Sequence, residues 1–166
     1  MMDIEKTIKE RRSIREYINK MPKDSDIAKI LEAGIWAPSG LNNQPWKFKV
    51  IKDKEIKDKL ATFTKYGEAI KNAPIIICVF LDNGATYNRE KDIMAIGACI
   101  QNMLLRACEF GLGTCWLGEI LNKRKEVEKY LKIDSDYELM AVITVGYANE
   151  GITKGSRKKL RSFLLK

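Results

Sequence analysis

The chain has 166 residues, of which 45% are hydrophobic and 31% are charged, a composition that predicts one soluble domain with a single core. Its 30 Lys and Arg residues outnumber 22 Asp and Glu residues, for a net charge of +8, and it contains no histidine. The missing imidazole excludes Ser-His-Asp and Cys-His nucleophiles, a histidine general base and histidine-ligated metals, so the chemistry must use other groups or a cofactor with its own reactive atoms.

The chain begins with two predicted helices. Asp3 is a suitable N-cap for a first helix that ends at about Arg12. A second helix starts near Asp24 or Ser25 and ends before Pro38, because a residue that precedes proline avoids helical torsion angles. Apolar patterns then predict strands at about 46–52, 75–81, 114–117 and 138–147, and helices at about 53–62, 68–71, 89–110 and 123–130.

These elements indicate an α/β or α+β domain around one sheet. The strand at 75–81 is continuously apolar and is predicted to be central and buried on both faces. The helix at 89–110 is apolar on most of its surface, which predicts that it is covered nearly all round.

The cysteines predict neither a metal site nor a redox motif. Cys78, Cys99, Cys108 and Cys115 lie in apolar segments and form no C-x-x-C pair, so we expect buried, reduced thiols, as in an intracellular protein. The first residues lack the apolar core of a targeting segment, and no apolar run reaches the about 20 residues of a membrane helix. These features predict a cytoplasmic protein.

The arginine segment, residues 11–15, is the first candidate for chemistry, with the sequence Arg-Arg-Ser-Ile-Arg. Cations at the end of a helix complement its dipole, by about a few tenths of a kcal/mol each. Guanidinium forks and a serine hydroxyl also bind phosphate oxygens with defined geometry. The segment by itself leaves both interpretations open.

The polar loop, residues 37–45, is the second candidate and lies between Trp36 and Trp46. Its hydroxyl and amide side chains can donate and accept hydrogen bonds, and Gly40 lets the main chain approach a ligand closely. The alternative is a structural turn, in which the side chains only form hydrogen bonds with the main chain of the loop itself. Recognition of a planar heterocycle and a purely structural turn are equally compatible with these residues.

The segment 111–118 is the third candidate and reads Gly-Leu-Gly-Thr-Cys-Trp-Leu-Gly. It is not a dinucleotide fingerprint, because its glycines follow a helix instead of a strand. Gly111 is predicted to end the long helix in a left-handed conformation. The main-chain N–H groups near Gly118 are candidates to face the edge of a ligand.

A basic extension, residues 150–166, ends the chain. From Gly151 onward it contains six cations and no acidic residue. Such a run of charge is usually a solvated end. Nucleic acid is the other partner that a positive tail suits, but the sequence contains no nucleic-acid-reading motif.

In this order, the segments resemble the nitroreductase family of FMN-dependent NAD(P)H oxidoreductases, in its short form. The resemblance rests on the arginine segment, on the polar loop with Trp46, on the long helix that runs into 111–118, and on Val145-Gly146-Tyr147 with the basic extension. It covers essentially the whole chain. It implies an α+β sandwich in which helices flank a mostly antiparallel central sheet, and a homodimer that exchanges its tails.

The resemblance also implies two FMN sites at the dimer interface. The residues that would hold the phosphate, the ribityl chain and the pyrimidine edge are Arg11, Arg12, Ser13 and Arg15. Arg157 matches the family's late phosphate-binding arginine, and the basic extension would pack on the partner subunit.

The remaining implied contacts surround the flavin ring. Pro38, Ser39 and Asn42 would come from the partner subunit and cover the dimethylbenzene side. Leu117 and Gly118 would lie near flavin N5. Lys65 matches a ribityl contact of some members only loosely.

The implied function is hydride transfer from NADH or NADPH to FMN, followed by reduction of nitroaromatic, quinone or similar small oxidants in a ping-pong mechanism. It needs no catalytic side chain and no metal, and it implies neither a nucleic acid nor a membrane as partner. A specialised flavin enzyme for reductive dehalogenation or flavin remodelling is the alternative within the fold. A basic polyanion-binding module is the alternative from a different functional class, and a flavin-binding protein without turnover, acting as a carrier or sensor, is a third possibility.

Overall fold

The computed structural model describes residues 3–149, 151 and 154–165, and its elements lie close to the predicted ranges. The helices are α1 (Ile4–Glu10), α2 (Asp24–Ile35), α3 (Lys54–Ala61), α4 (Gly67–Asn72), α5 (Arg89–Glu109) and α6 (Arg124–Tyr130). The strands are β1 (Trp46–Ile51), β2 (Ile75–Asp82), β3 (Gly113–Leu117) and β4 (Tyr137–Gly146). Short 3-10 turns lie at Gly40–Asn42, Glu119–Lys123 and Leu160–Ser162.

The strands form a four-stranded antiparallel sheet in the order β1-β2-β4-β3. This confirms the predicted α+β class with an antiparallel central sheet. Because β1 and β3 are the two edges, they are separated by three strand spacings of about 4.8 Å, roughly 14 Å in all. The position of the two edges decides which candidate residues can meet.

The strand β2 connects two apolar layers. Ile77 and Val79 point to the layer that contains α2 and α5, whereas Ile76 and Cys78 point to the layer that contains α3 and α6. Alternate side chains of a strand face opposite sides of the sheet, so a strand covered on both sides must be apolar throughout. The prediction of a central strand buried on both faces is confirmed.

Three details differ from the sequence-based expectations. The first helix ends at Glu10 instead of about Arg12, because residue 11 has φ −53° and ψ 128° and the chain continues as an extended segment. The long helix α5 is not covered all round, since Met94 on its outer face is 71% exposed. Cys108 is only half-buried, because it lies in the last turn of α5 beside α1.

The other predicted thiols and the glycine cap agree with the structure. Cys78, Cys99 and Cys115 are buried, and burial raises the pKa of the Cys78 and Cys99 thiols to about 12. Gly111 has φ 71°, the left-handed conformation expected of a helix C-cap.

Two negative observations apply to the described part of the chain. None of its helices combines the length and the apolarity required to cross a membrane. Within the same residues, no three Cys, Asp or Glu side chains are placed to hold a metal ion together. Of the basic extension, residues 150, 152, 153 and 166 lie outside the described part.

Candidate functional site

The arginine segment runs beside β3 as an extended stretch. The N–H of Ile14 donates to the carbonyl of Thr114 over 2.9 Å, and Ser13 forms a parallel bridge with the same residue. Ile14 is buried, whereas Ser13 and Arg15 are exposed. Because side chains alternate along an extended chain, Arg11, Ser13 and Arg15 share one face. The segment therefore presents a guanidinium, a hydroxyl and a second guanidinium in a row.

Arg12 does not belong to this row. Its guanidinium donates to the carbonyls of Lys9 over 2.6 Å and of Arg11 over 2.8 Å, at the end of α1. Gly155 packs against it so closely that a Cβ there would lie 2.5 Å from Arg12 Nη2. Arg12 thus links the end of α1 to the basic extension, a role that the pattern of residues 11–15 did not indicate.

A basic cleft of about 450 Å³ lies where α1 meets the basic extension. Among the described residues, its lining contains four cations, Lys9, Arg12, Lys154 and Arg157, and no acidic residue. Arg11 lines the neighbouring cleft, together with Cys108 and Leu112, and Arg12 is common to both clefts. The structure thus places Arg157 in one cleft with Arg12 of the arginine segment and concentrates positive potential there.

A second cluster of charged side chains surrounds Tyr66, at the Arg15 end of the row. Arg15 lies over the Tyr66 ring, 6.0 Å from its centroid, and Lys65 Nζ lies 5.4 Å from the same centroid. The carboxylate of Glu119 accepts hydrogen bonds from Thr64 Oγ1 over 2.5 Å and from the Lys65 N–H over 3.1 Å. Hydrogen bonding, from Thr64 above all, lowers the pKa of Glu119.

Glu119 is a site residue that the sequence did not indicate. It holds Lys65 beside Arg15, and it directly follows Gly118 in the chain. Thr64 and Glu119 belong to separate loops that only the tertiary fold brings together. No local spacing in the sequence signals such a pair.

The main chain at Gly118 is open. Leu117 is buried as the last residue of β3, whereas Gly118 is exposed and is the N-cap of the 3-10 turn that begins at Glu119. A Cβ built on Gly118 would meet no atom of the described chain within 4 Å. The main chain at Gly118 is therefore not covered by side chains of the described chain.

The polar loop has an unusual backbone. Leu41, Asn42 and Gln44 have positive φ angles of 55°, 54° and 48°. Such angles are uncommon for residues other than glycine and store strain. Ser39 Oγ accepts a hydrogen bond from the Gln44 N–H over 3.0 Å, while Leu41 at the tip is 85% exposed. The loop holds an exposed and strained tip in a defined shape.

The predicted residues of the polar loop line two shallow clefts. Pro38 and Ser39 lie together in a cleft of about 250 Å³, beside Met94 of α5. Asn42 lines the adjoining cleft with Trp36. The structure thus keeps these three predicted residues near one another but not in one cleft.

The predicted site residues fall on the two edges of the sheet. The arginine segment, Leu117 and Gly118 lie at the β3 edge. The polar loop leads directly into Trp46 at the start of β1 and therefore lies at the β1 edge. β2 and β4 stand between these edges. Within one chain, the two groups of predicted residues therefore lie at opposite edges of the sheet.

Known proteins resemble both the sequence and the fold. The model of the Nitroreductase family matches residues 8–67 and 62–147. A candidate nitroreductase from Desulfovibrio desulfuricans, solved in complex with FMN, is 43% identical and superposes with a TM-score of 0.95, over 100% of this chain and 97% of the other.

Two relatives by sequence carry different names. A candidate NADH dehydrogenase/NAD(P)H nitroreductase from Archaeoglobus fulgidus is 34% identical, over 87% of this chain and 85% of its own length. The iodotyrosine deiodinase of Thermotoga neapolitana is 26% identical, over 92% of both chains. Both similarities extend across most of the molecule.

Proposed function

This chain belongs to the nitroreductase family, and on that premise we propose that it is an FMN-dependent enzyme that oxidises NADH or NADPH and reduces nitroaromatic, quinone or similar small oxidants. The observation that carries the proposal is the row of Arg11, Ser13 and Arg15, which lies at the same sheet edge as the open main chain of Gly118. FMN, when bound, supplies the atoms that accept a hydride and pass electrons on. That chemistry suits a chain without histidine.

The donor set fits the chemical groups of FMN. Arg11 and Arg157 hold the phosphate through charge-assisted hydrogen bonds, which are the stronger class of such bonds. Ser13 binds the ribityl chain, and Arg15 with Lys65 provides positive potential at the pyrimidine edge, where it favours negative charge. The Gly118 main chain faces the ring. These residues bind, orient and polarise, and none of them has to act as a nucleophile or a base.

We propose that a second copy of the chain completes each site. Pro38, Ser39 and Asn42 of one copy would cover the ring that the arginine segment of the other copy holds. Large apolar side chains are exposed around the polar loop and on the basic extension, among them Trp36, Leu41, Met94, Phe163 and Leu165. A monomer rarely exposes so much apolar surface, and a symmetric dimer would cover it.

Light scattering on the purified protein tests this assembly. A dimer is the expected result, together with a shift to monomers when residues 158–166 of the basic extension are deleted. A wild-type monomer that still binds FMN tightly would contradict the shared site.

The turnover that we propose is ping-pong. The nicotinamide donor and then the oxidant would occupy the same place on the ring, because one face of the ring cannot hold both at once. Initial rates at several donor concentrations should give parallel double-reciprocal plots. Intersecting plots would show that both substrates bind together.

The absorption spectrum of the purified protein tests the proposed function. Titration with FMN should quench the flavin fluorescence, and anaerobic addition of NADH or NADPH should then bleach the visible absorption. Protein that binds no added FMN would overturn the proposal. Flavin that neither nucleotide bleaches would instead support a carrier without turnover.

Reductive dehalogenation is the second candidate function, and the similarity to the iodotyrosine deiodinase favours it. The connection between β2 and α5 consists only of residues 83–88, so it offers no insertion that could close over a specific substrate. We therefore rank a permissive reductase first. Rates with a nitrofuran, a quinone and a halogenated tyrosine separate the two, since a dehalogenase would turn over the first two poorly.

A further inference from the structure

Building on the proposed function, we propose that Asp92 is a positioning residue of the FMN site. Its buried carboxylate fixes Asn43 and, through Asn43, the strained polar loop that covers the ring held by the second copy. Asp92 does not line the clefts that contain Pro38, Ser39 and Asn42. Its effect on FMN would therefore be indirect.

The carboxylate of Asp92 joins two segments of the chain. Asp92 lies in the first turn of α5 and is fully buried. It accepts hydrogen bonds from Asn43 Nδ2 over 2.7 Å and from the main-chain N–H groups of Tyr87 and Asn88 over 3.1 Å each. A buried carboxylate is tolerated only where donors replace water. Here the donors come from the polar loop and from the turn before α5.

The amide of Asn43 has one favourable orientation. Nδ2 donates both to Asp92 and to the carbonyl of Ala85 over 3.0 Å, whereas Oδ1 is buried and has no hydrogen-bond partner among the described residues. A flipped amide would lose both hydrogen bonds and place Oδ1 against a carboxylate. The Asn43 side chain, which anchors the polar loop, is therefore held only by the hydrogen bonds that its Nδ2 group donates.

The same network encloses the strained tip from both sides. Leu41 and Asn42, which have positive φ, directly precede the anchor Asn43. On the other side, the Tyr87 ring packs on Gly40, where any Cβ would clash with Tyr87 Oη. Strained torsion angles persist only where the surroundings enforce them. Asp92 accepts hydrogen bonds from the main chain of Tyr87 and from the side chain of Asn43. It therefore fixes the positions of the two residues that flank the strained tip.

A role limited to stability is the rival explanation. A carboxylate in the first turn of α5 also interacts favourably with the helix dipole. If Asp92 did nothing else, disturbing its contact with Asn43 would lower stability without changing the loop or the affinity for FMN.

The variant Asn43→Asp separates the two explanations, because it places a second carboxylate where Asp92 requires a donor. We expect the Kd for FMN to rise by about tenfold or more. In the apoprotein, the amides of Asn42, Asn43 and Gln44 should exchange their hydrogens faster than in the wild type, since they close the hydrogen bonds of the loop.

The double variant Asn43→Asp/Asp92→Asn restores a donor and an acceptor with their places exchanged. It should recover part of the affinity and of the exchange protection that Asn43→Asp loses, because the carbonyl of Ala85 still lacks the donor that Asn43 provides. Glu128→Gln is the matched control, because Glu128 is another buried carboxylate and accepts from the main chain of Leu139 over 2.8 Å in the opposite layer of the core. The control should lower the melting temperature and leave the Kd unchanged.

The inference is overturned if Asn43→Asp binds FMN like the wild type, if the double variant recovers nothing, or if Glu128→Gln weakens FMN binding equally. If Asn43→Asp does not fold, Asn43→Ala removes the donor without adding a charge and takes its place in both measurements. A wild-type protein that binds no FMN would overturn the proposed function instead. In that case, amide hydrogen exchange in the apoprotein would still show whether Asp92 holds the polar loop in its shape.

Discussion

The two edges of the sheet are built in different ways. At the β3 edge, main-chain pairing between residues 13 and 14 and Thr114 fixes the arginine segment without using its side chains. At the β1 edge, side chains hold the polar loop: Asn43 donates to a buried carboxylate, and Ser39 accepts from Gln44. Function and stability are therefore separable at the β3 edge and coupled at the β1 edge.

The largest effect on FMN binding is expected at the β3 edge. Arg11→Ala should raise the Kd for FMN about a hundredfold, because a charge-assisted hydrogen bond to phosphate contributes about 1.5–3 kcal/mol. The melting temperature should stay within about a degree of the wild type. Fluorescence titration and thermal unfolding measure the two quantities. Lys129→Gln, which removes an exposed cation on α6, is the control and should bind FMN normally.

At the β1 edge, Gly40→Ala should change both the stability of the protein and its affinity for FMN. The new methyl group would displace Tyr87 from the tip of the loop and lower the free energy of unfolding by about 1–3 kcal/mol. FMN binding should weaken at the same time, because the loop that covers the ring changes shape. Normal FMN affinity in a destabilised Gly40→Ala variant would break the proposed coupling.

Gly118→Ala is the matched substitution at the β3 edge. Its methyl group would meet no atom of the described chain within 4 Å, so the free energy of unfolding should change by less than about 0.5 kcal/mol. The same methyl group would occupy space beside the ring and raise the Kd for FMN by about tenfold. An unchanged Kd would show that the main chain at Gly118 does not face the cofactor.

The smallest effect is expected from Glu119→Gln and depends on pH. Because the pKa of Glu119 is lowered in the folded protein, its carboxylate contributes stability above the ordinary pKa of Glu, and this contribution is lost as the pH falls through the lowered value. The wild type should therefore melt above Glu119→Gln at neutral pH. The difference should vanish in acid, and a difference independent of pH would contradict the assignment.

The sequence predicts the elements well because their apolar spacing is local. The continuous apolar run of β2 and the apolar face of α5 are formed by residues that are close together in the chain. The role of Arg12 could not be predicted in this way, because the expected helix continued to Arg12, whereas the actual chain becomes extended at Arg11. That change of conformation turns Arg12 away from the row of Arg11, Ser13 and Arg15.

The networks that support the candidate site could not be predicted either. Asp92 contacts Asn43, and Glu119 contacts Thr64, only after distant segments pack together. A polar residue in an apolar helix or in a loop carries no information about its partner. The motifs in the sequence thus identify the groups proposed to contact FMN, and the structure adds the groups that hold them in place.

A mixed dimer tests the shared site most directly. Arg11→Ala disables the β3 edge of one copy and Gly40→Ala the β1 edge of the other, so a heterodimer of the two, purified with two different tags, contains one site with both edges intact. We predict about one tightly bound FMN per heterodimer, whereas both homodimers bind FMN weakly at every site. A heterodimer without a tight site would contradict the account, because it would show that each site is built within a single chain.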